Sequence, residues 1–291
     1  MLANNKRFYK VQWLIINMDY TLNQKEYEIV LQDDFTICGL IEHVARICYQ
    51  SHNKKKDGSD KYLVSKLLNL GHEAMFEHYN LVFIVEFDLI YDFILEYVEQ
   101  DIRFLRYSDV GKYTYLISGN IRAFRDLFNK NEFSCVFNNF LNMILKKLKS
   151  ISPLIFSDID YLEKNEEYNV LEINQISQTD TIRYGKKEFL KHNQLCVIFK
   201  NNRGFTHEIV RMRSMSFAQE STRYCDYTRD KHNNAISIVL PDYKLTEEQR
   251  KVIDNVYDII NHSYEELRNS GLPAQISRNI LPIGIKSQIA V

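Results

Sequence analysis

The sequence predicts an α/β protein, and three observations carry that reading. Apolar residues recur at helical spacing over residues 34–51. Leu81, Phe83, Val85 and Phe87 alternate with other residues at the period of a strand. A second strand-like run, QLCVIFK from Gln194 to Lys200, leads into a helical pattern that opens near Thr206 and delivers Arg211 at its C-terminal end. In chain order, Asp33 and Asp34 are good caps for the first helix, whose face is Ile37, Leu40, Ile41, Val44, Ala45 and Cys48. The polar loop SHNKKKDGSD follows. Ser59 then caps a second helix with Leu63, Leu67, Leu68 and Leu70 on its face, and Gly71 stops it. Residues from about 91 to 190, rich in Tyr, Phe, Asn and Lys, read as an inserted, elaborated helical segment with patterns at Ile121–Asn129 and Phe133–Leu148. Its tail, 157–189, lacks clear periodicity and is expected as a long loop with one short strand near Val170–Ile173. Thr246 and Gln249 have capping-box spacing and open a long helix up to Gly271. With no repeat and no Pro/Gly/Ser linker, a single domain over residues 1–291 is expected.

Composition narrows the function classes. With 291 residues, 45% of them hydrophobic, the chain can bury a sizeable core. A formal net charge of -1 leaves no broad basic field, so no nucleic-acid partner is expected and recognition must be local. Cys38, Cys48, Cys135, Cys196 and Cys225 are odd in number and scattered, with no C-x-x-C pair. That argues against a disulfide framework or a zinc site and for a reducing, cytoplasmic setting. The apolar run Trp13–Ile16 is broken by Asn17, and no run of about 18 apolar residues occurs, so neither a signal segment nor membrane contact is expected.

Two clusters can carry chemistry. Arg211-Met212-Arg213 is followed by seven residues and then Ser221-Thr222-Arg223-Tyr224, which gathers guanidiniums and hydroxyls in one short stretch. Guanidiniums take phosphate through paired hydrogen bonds, and Ser, Thr and backbone N–H groups complete such a cradle, so a phosphorylated small molecule fits. A solvated basic turn is the plain alternative. Ser216, Gln219, Ser221 and Arg223 lack the spacing of a buried helix face and read as a polar binding loop. The second cluster, His72, Glu73, Glu77 and His78, invites a metal, but H-E-x-x-H needs His at position 76, where Phe76 stands. No metal is expected there.

The wider segment RGFTHEIVRMRSMSFAQESTRYCDY, Arg203–Tyr227, resembles the signature of the flavin-dependent thymidylate synthases, Arg-His-Arg, seven residues, then Ser and an Arg-Tyr pair. Met212 stands where that family has His. His72-Glu73 with Glu77-His78 ahead of an apolar strand is similar to a family cluster whose second His lies beside the flavin. ISGNIRAFRDLF, Ile117–Phe128, is similar to a segment of longer members, and there Arg122 and Arg125 either reach an anion or belong to a capped amphipathic helix. Ser277-Arg278-Asn279-Ile280-Leu281-Pro282 resembles the family's Ala-Arg-x-x-Leu-Pro.

The resemblance implies reductive methylation of deoxyuridine monophosphate (dUMP), with FAD as cofactor, NADPH and methylenetetrahydrofolate as co-substrates and no cysteine nucleophile. It assigns His78, Asn80, Arg211, Met212, Arg213 and Gln219 to the flavin. It assigns Glu208, Ile209, Val210, Arg211, Gln219, Glu220, Ser221, Thr222, Arg223 and Arg278 to the nucleotide, with Ser221 and Arg223 at the chemistry. It also implies an α/β domain with a central mostly antiparallel or mixed sheet flanked by helices, and a homotetramer with sites between subunits. A second reading is a flavin- and nucleotide-binding relative without turnover, because Met212 removes an imidazole and the family's Asn-x-Arg tail is expected to lie beyond the position of Val291. An RNA-binding module is disfavoured by the near-zero net charge.

Overall fold

Strands and helices follow the apolar spacing through most of the chain in the computed structural model, which describes residues 21–22, 25–87, 103–111, 113–129, 135–162, 170–229, 232, 234–240 and 243–291. β1 (Thr21–Leu22) and β2 (Glu26–Val30) precede α1 (Ile37–Tyr49) and α2 (Ser59–Asn69). β3 (Asn80–Phe87), β4 (Arg106–Gly111) and β5 (Thr114–Asn120) lead to α3 (Ile121–Phe128), α4 (Cys135–Ile151) and α5 (Pro153–Phe156). β6 (Val170–Ile176) is followed by α6 (Gln178–Tyr184) and α7 (Lys187–Leu190). Then come β7 (Cys196–Asn202), α8 (Arg203–Ile209), β8 (Ala218–Gln219), β9 (Ser237–Ile238), α9 (Glu247–Asn269), α10 (Ala274–Ser277) and β10 (Lys286–Ala290). The architecture is mixed α/β, and the expected mostly antiparallel sheet is present as two four-stranded sheets flanked by helices. Contacts divide the chain into two units, one of residues up to 30, 45–52 and 197–291, the other of 31–44 and 53–196. No described helix is long and apolar enough to cross a membrane.

In the first unit the sheet order is β2-β7-β10-β8, with β10 antiparallel to both β7 and β8. Cys225, Tyr227, Ile236, Ile238, Tyr264 and Ile285 form its core, with Tyr257, Ile260 and Leu281 packed against them. α9 supplies Tyr257, Ile260 and Tyr264 from one face. Its N-terminus is the expected capping box: Gln249 N–H donates to Thr246 Oγ1 at 3.2 Å, and the Gln249 side chain accepts from Thr246 N–H at 2.9 Å.

In the second unit the order is β4-β5-β3-β6, antiparallel throughout. β3 was expected to alternate, yet Leu81, Val82, Phe83 and Val85 are all buried, because both of its faces are covered. Val82 packs with Leu116 and Phe189, while Phe83 meets Phe124 of α3 edge-on, ring centroids 5.7 Å apart. Asn120 ends β5 and caps α3, accepting from Ala123 N–H at 2.8 Å.

Several expectations are corrected. The first helix begins at Ile37, not near 34, since Thr36 Oγ1 accepts from Gly39 N–H, while Asp33 accepts from the backbone N–H groups of Gln178 and Thr179. Ser59 does not cap α2. Gly58 does so in the left-handed conformation (φ 70°), and the Ser59 hydroxyl donates to Glu42 at 2.6 Å. Gly71 (φ 64°) stops the helix as expected. The stretch 91–190, expected as a mainly helical insert, contributes β4, β5 and β6 to the second sheet. The supposed loop 157–189 carries α6 and α7, with Ser177 capping α6 at its N-terminus and left-handed Gly185 (φ 63°) at its C-terminus. The start of the Phe133–Leu148 pattern lies outside the described residues, and α4 runs on to Ile151.

Candidate functional site

The basic segment belongs to the first unit. Asn202 ends β7 and caps α8, its side chain accepting from Phe205 N–H at 2.9 Å. The helix therefore opens at Arg203 rather than Thr206 and stops at Ile209, two residues short of Arg211. Arg211, Met212 and Arg213 follow as an exposed turn. Arg211 Nη1 reaches Glu208 at 2.8 Å, but both side chains are about three-quarters exposed (75% and 73%), so the pair is weak. Ile209 is half-buried and Val210 exposed.

From Gln219 onward the segment is tied down. Gln219 pairs with Ile289 in the sheet, and its side-chain amide donates to Thr206 Oγ1 at 2.7 Å and to Ser287 Oγ at 3.3 Å. Ser221 N–H donates to the Cys48 carbonyl at 2.9 Å, and Ser221 O accepts from Tyr224 and Cys225 N–H at 3.1 and 2.9 Å. That turn displays Ser221, half-buried, and Arg223, exposed, whose guanidinium stands 5.5 Å from the Tyr224 ring centre. Thr222 is buried. Arg278 is exposed on the short helical turn after α10.

Glu220, expected among the nucleotide contacts, is turned inward instead. Its side chain has no exposed surface; Oε1 accepts from Tyr227 O–H at 3.0 Å, and Oε2 from Gln288 N–H at 3.2 Å and Lys286 Nζ at 3.0 Å. These anchors were missed in the sequence because they lie far along the chain, on β10, and a Lys in a short alternating strand carries no local signal. Burial and the Glu220 charge hold the Tyr227 hydroxyl well above its usual range. Burial pushes the Cys48 thiol up to about 12, so beside Ser221 it stays protonated and a poor nucleophile.

His78 and Asn80 belong to the second unit. His78 is 1% exposed at the end of a 3-10 turn, and neither ring nitrogen has a protein partner among the described residues. Burial pulls its pKa down to about 4, so the ring is neutral. The Asn80 amide donates to the His192 carbonyl at 2.9 Å, and its backbone makes a two-way bond with Gln32. The neighbouring carboxylates do not gather for a metal. Arg122 takes Glu77 at 2.6 Å and Glu73 at 3.8 Å, and Arg125 grips Asp158 with two bonds of 2.9 and 2.7 Å. Arg122 and Arg125 thus belong to the capped helix and its carboxylate neighbours.

Residues 155–291 match the family model described as thymidylate synthase complementing protein. The flavin-dependent thymidylate synthase of Pyrococcus furiosus is 28% identical over 138 residues, 43% of this chain and 54% of that protein. The flavin-dependent thymidylate synthase of Geobacter sulfurreducens is 29% identical over 90 residues, 31% of this chain and 38% of that protein. The match thus spans about half of the first relative's length and less of the second's. Among solved structures, the UMP/dUMP methylase PolB from Streptomyces cacaoi bound with 5-Br dUMP aligns over 93% of this chain and 73% of its own, at 12% identity and a TM-score of 0.32. Residues 155–291, which hold the basic segment, are thus similar to the flavin-dependent thymidylate synthases.

Proposed function

We propose that the protein methylates dUMP reductively to the thymidine nucleotide, with methylenetetrahydrofolate as carbon donor and NADPH as reductant. The observation that carries this reading is the Arg211–Tyr224 segment, where Arg211, Arg213 and Arg223 keep their side chains in solvent while Gln219 and Ser221 are bonded into the sheet and α1. Such an arrangement offers charge-assisted donors from a backbone that need not be ordered on binding. The Arg211–Glu208 pair does not oppose it, because an exposed ion pair is worth only about 0–1 kcal/mol and a phosphate can displace the carboxylate.

The donor set fits FAD. Exposed Arg211 and Arg213 supply cations suited to a diphosphate, and the His78 nitrogens supply polar atoms that have no protein partner among the described residues. Arg211, Met212, Arg213 and Gln219 would hold the flavin, and His78 and Asn80 are assigned to it as well; one Asn80 amide N–H is given to His192, which leaves its amide oxygen and its second N–H. When bound, the flavin supplies the hydride chemistry that no side chain can. The chain's own part is orientation and charge. Arg223 and Arg278 take the phosphate, Ser221 stands beside the uracil ring without being acylated, and Glu208, Ile209, Val210 and Thr222 border the nucleotide. A homotetramer with sites between subunits is part of the same proposal.

A second reading, binding without turnover, is favoured by Met212, an exposed thioether that can neither donate a hydrogen bond nor carry charge. Titration with FAD followed by fluorescence quenching, and tritium release from C5-labelled dUMP, test both. Flavin binding with tritium release supports the enzyme, and flavin binding without release supports the second reading. A protein that binds no FAD at high micromolar concentration removes the flavin assignment altogether.

A further inference from the structure

We infer that Glu220, paired with Lys286, is a positioning residue that fixes where Ser221 and Arg223 stand. The inference rests on the assignment of those two residues to the nucleotide. Glu220 directly precedes Ser221, and its backbone is held from two sides, with N–H donating to the Gln288 carbonyl at 2.8 Å and its own carbonyl accepting from Arg203 Nη1 at 3.4 Å. Its carboxylate collects Tyr227 from the chain just ahead and Lys286 and Gln288 from β10. Lys286 Nζ also donates to Gln50 Oε1 at 3.5 Å, and the Gln50 amide donates to the Gln288 side chain at 2.9 Å. Gln50 follows α1, whose Cys48 carbonyl holds Ser221 N–H. The end of α1, β10 and the Ser221 turn are therefore joined by polar bonds that converge on one buried carboxylate.

A buried ion pair is a poor device for stability alone, since apolar residues of similar volume do as well or better, but its directional bonds select one arrangement. Around Glu220 the charged and titratable groups are Lys286, Arg203, Tyr227 and Cys48. Lys286 answers the carboxylate charge directly. Removing it leaves a charge that only movement of the turn can hydrate, and a displacement near 1 Å at a reacting group costs about a hundredfold in rate.

The test is a cycle of Lys286→Met, Glu220→Gln and the charge-free double variant, read by amide hydrogen exchange over residues 218–226 and by dUMP calorimetry. Each single variant is expected to speed exchange at Ser221 and Cys225 and to weaken dUMP binding, both by about tenfold, and the double variant to return to within about threefold of the parent. Tyr227→Phe removes one bond and no charge, so it moves both readouts the same way by about threefold and serves where a charge variant fails to fold. Folded single variants with unchanged exchange and affinity but a lower melting temperature would show a merely structural pair and overturn the inference. So would a double variant no closer to the parent than the singles. If the parent itself binds no dUMP, the functional assignment falls, while the exchange data still decide whether the pair holds the turn.

Discussion

Acidification from about pH 7.5 to pH 5 should weaken the fold through two buried histidines. His78 and His192 are each 1% exposed, and burial pulls both pKa values down to about 4 from 6.5. Arg106 and Lys191 add to the shift at His192. The unfolded chain takes up a proton at each ring below about pH 6.5, whereas the folded chain resists until about pH 4, so stability falls with falling pH between those values. At pH 5 the unfolded imidazole is almost fully charged and the folded one about a tenth, which makes the loss about 2 kcal/mol per histidine and about 4 kcal/mol for both. Urea unfolding at the two pH values measures it. His192→Asn, which keeps a polar atom for the Ser118 hydroxyl now 2.7 Å from Nδ1, should abolish about half of the drop. His78→Phe should abolish the other half. The carboxylates held down by arginine, Asp158 and Asp226, titrate below this window, so they do not confuse the result. An unfolding free energy that stays flat from pH 7.5 to 5, or a drop as large in the double variant, would refute the reasoning.

Arg223→Ala should weaken dUMP binding by about tenfold to about 150-fold, the worth of a hydrogen bond to a charged group (about 1.5–3 kcal/mol), with stability changed by less than about 0.5 kcal/mol because the side chain is exposed; calorimetry beside thermal melting checks both. Gly284→Ala should destabilise by about 1–3 kcal/mol, since an added Cβ would collide with the Tyr257 hydroxyl, and an unchanged urea midpoint would count against the packing described. Met212→His should raise tritium release from C5-labelled dUMP while leaving stability within about 0.5 kcal/mol, as expected for an exposed turn residue; equal turnover would show that the thioether is no handicap.

What could be read from the sequence was local. The capping box at Thr246 and the stop at Gly71 depend on bonds a few residues apart, so spacing alone finds them. The arginines of residues 211–223 were legible for the same reason, because guanidinium and hydroxyl chemistry shows in composition and order. The structure depends equally on distant partners, and there the reading failed. Asp33 looks like a helix cap but spends its carboxylate on the start of α6. Glu220 looks like one more polar residue in a binding loop, yet β10 claims it. The β4–β5 hairpin was hidden because RYSDVG and TYLISGN mix polar and aromatic residues without clean alternation, and β5 is buried through most of its length.

A chain with net charge -1 needs some way to make an anion site, and the pairing of its cations supplies one. Arg122, Arg125, Arg268 and Lys286 are matched at 2.6–3.0 Å with Glu77, Asp158, Asp226 and Glu220, all four in partly or largely buried surroundings. Arg223 and Arg278 keep their side chains in solvent, and Arg211 meets an exposed Glu208 at 2.8 Å. Positive charge at the turn therefore comes from exposed guanidiniums, not from an excess of bases over the whole chain. A field of this origin is short-ranged, screened beyond about 8 Å at physiological salt. A field of that range favours a compact phosphate over an extended polyanion.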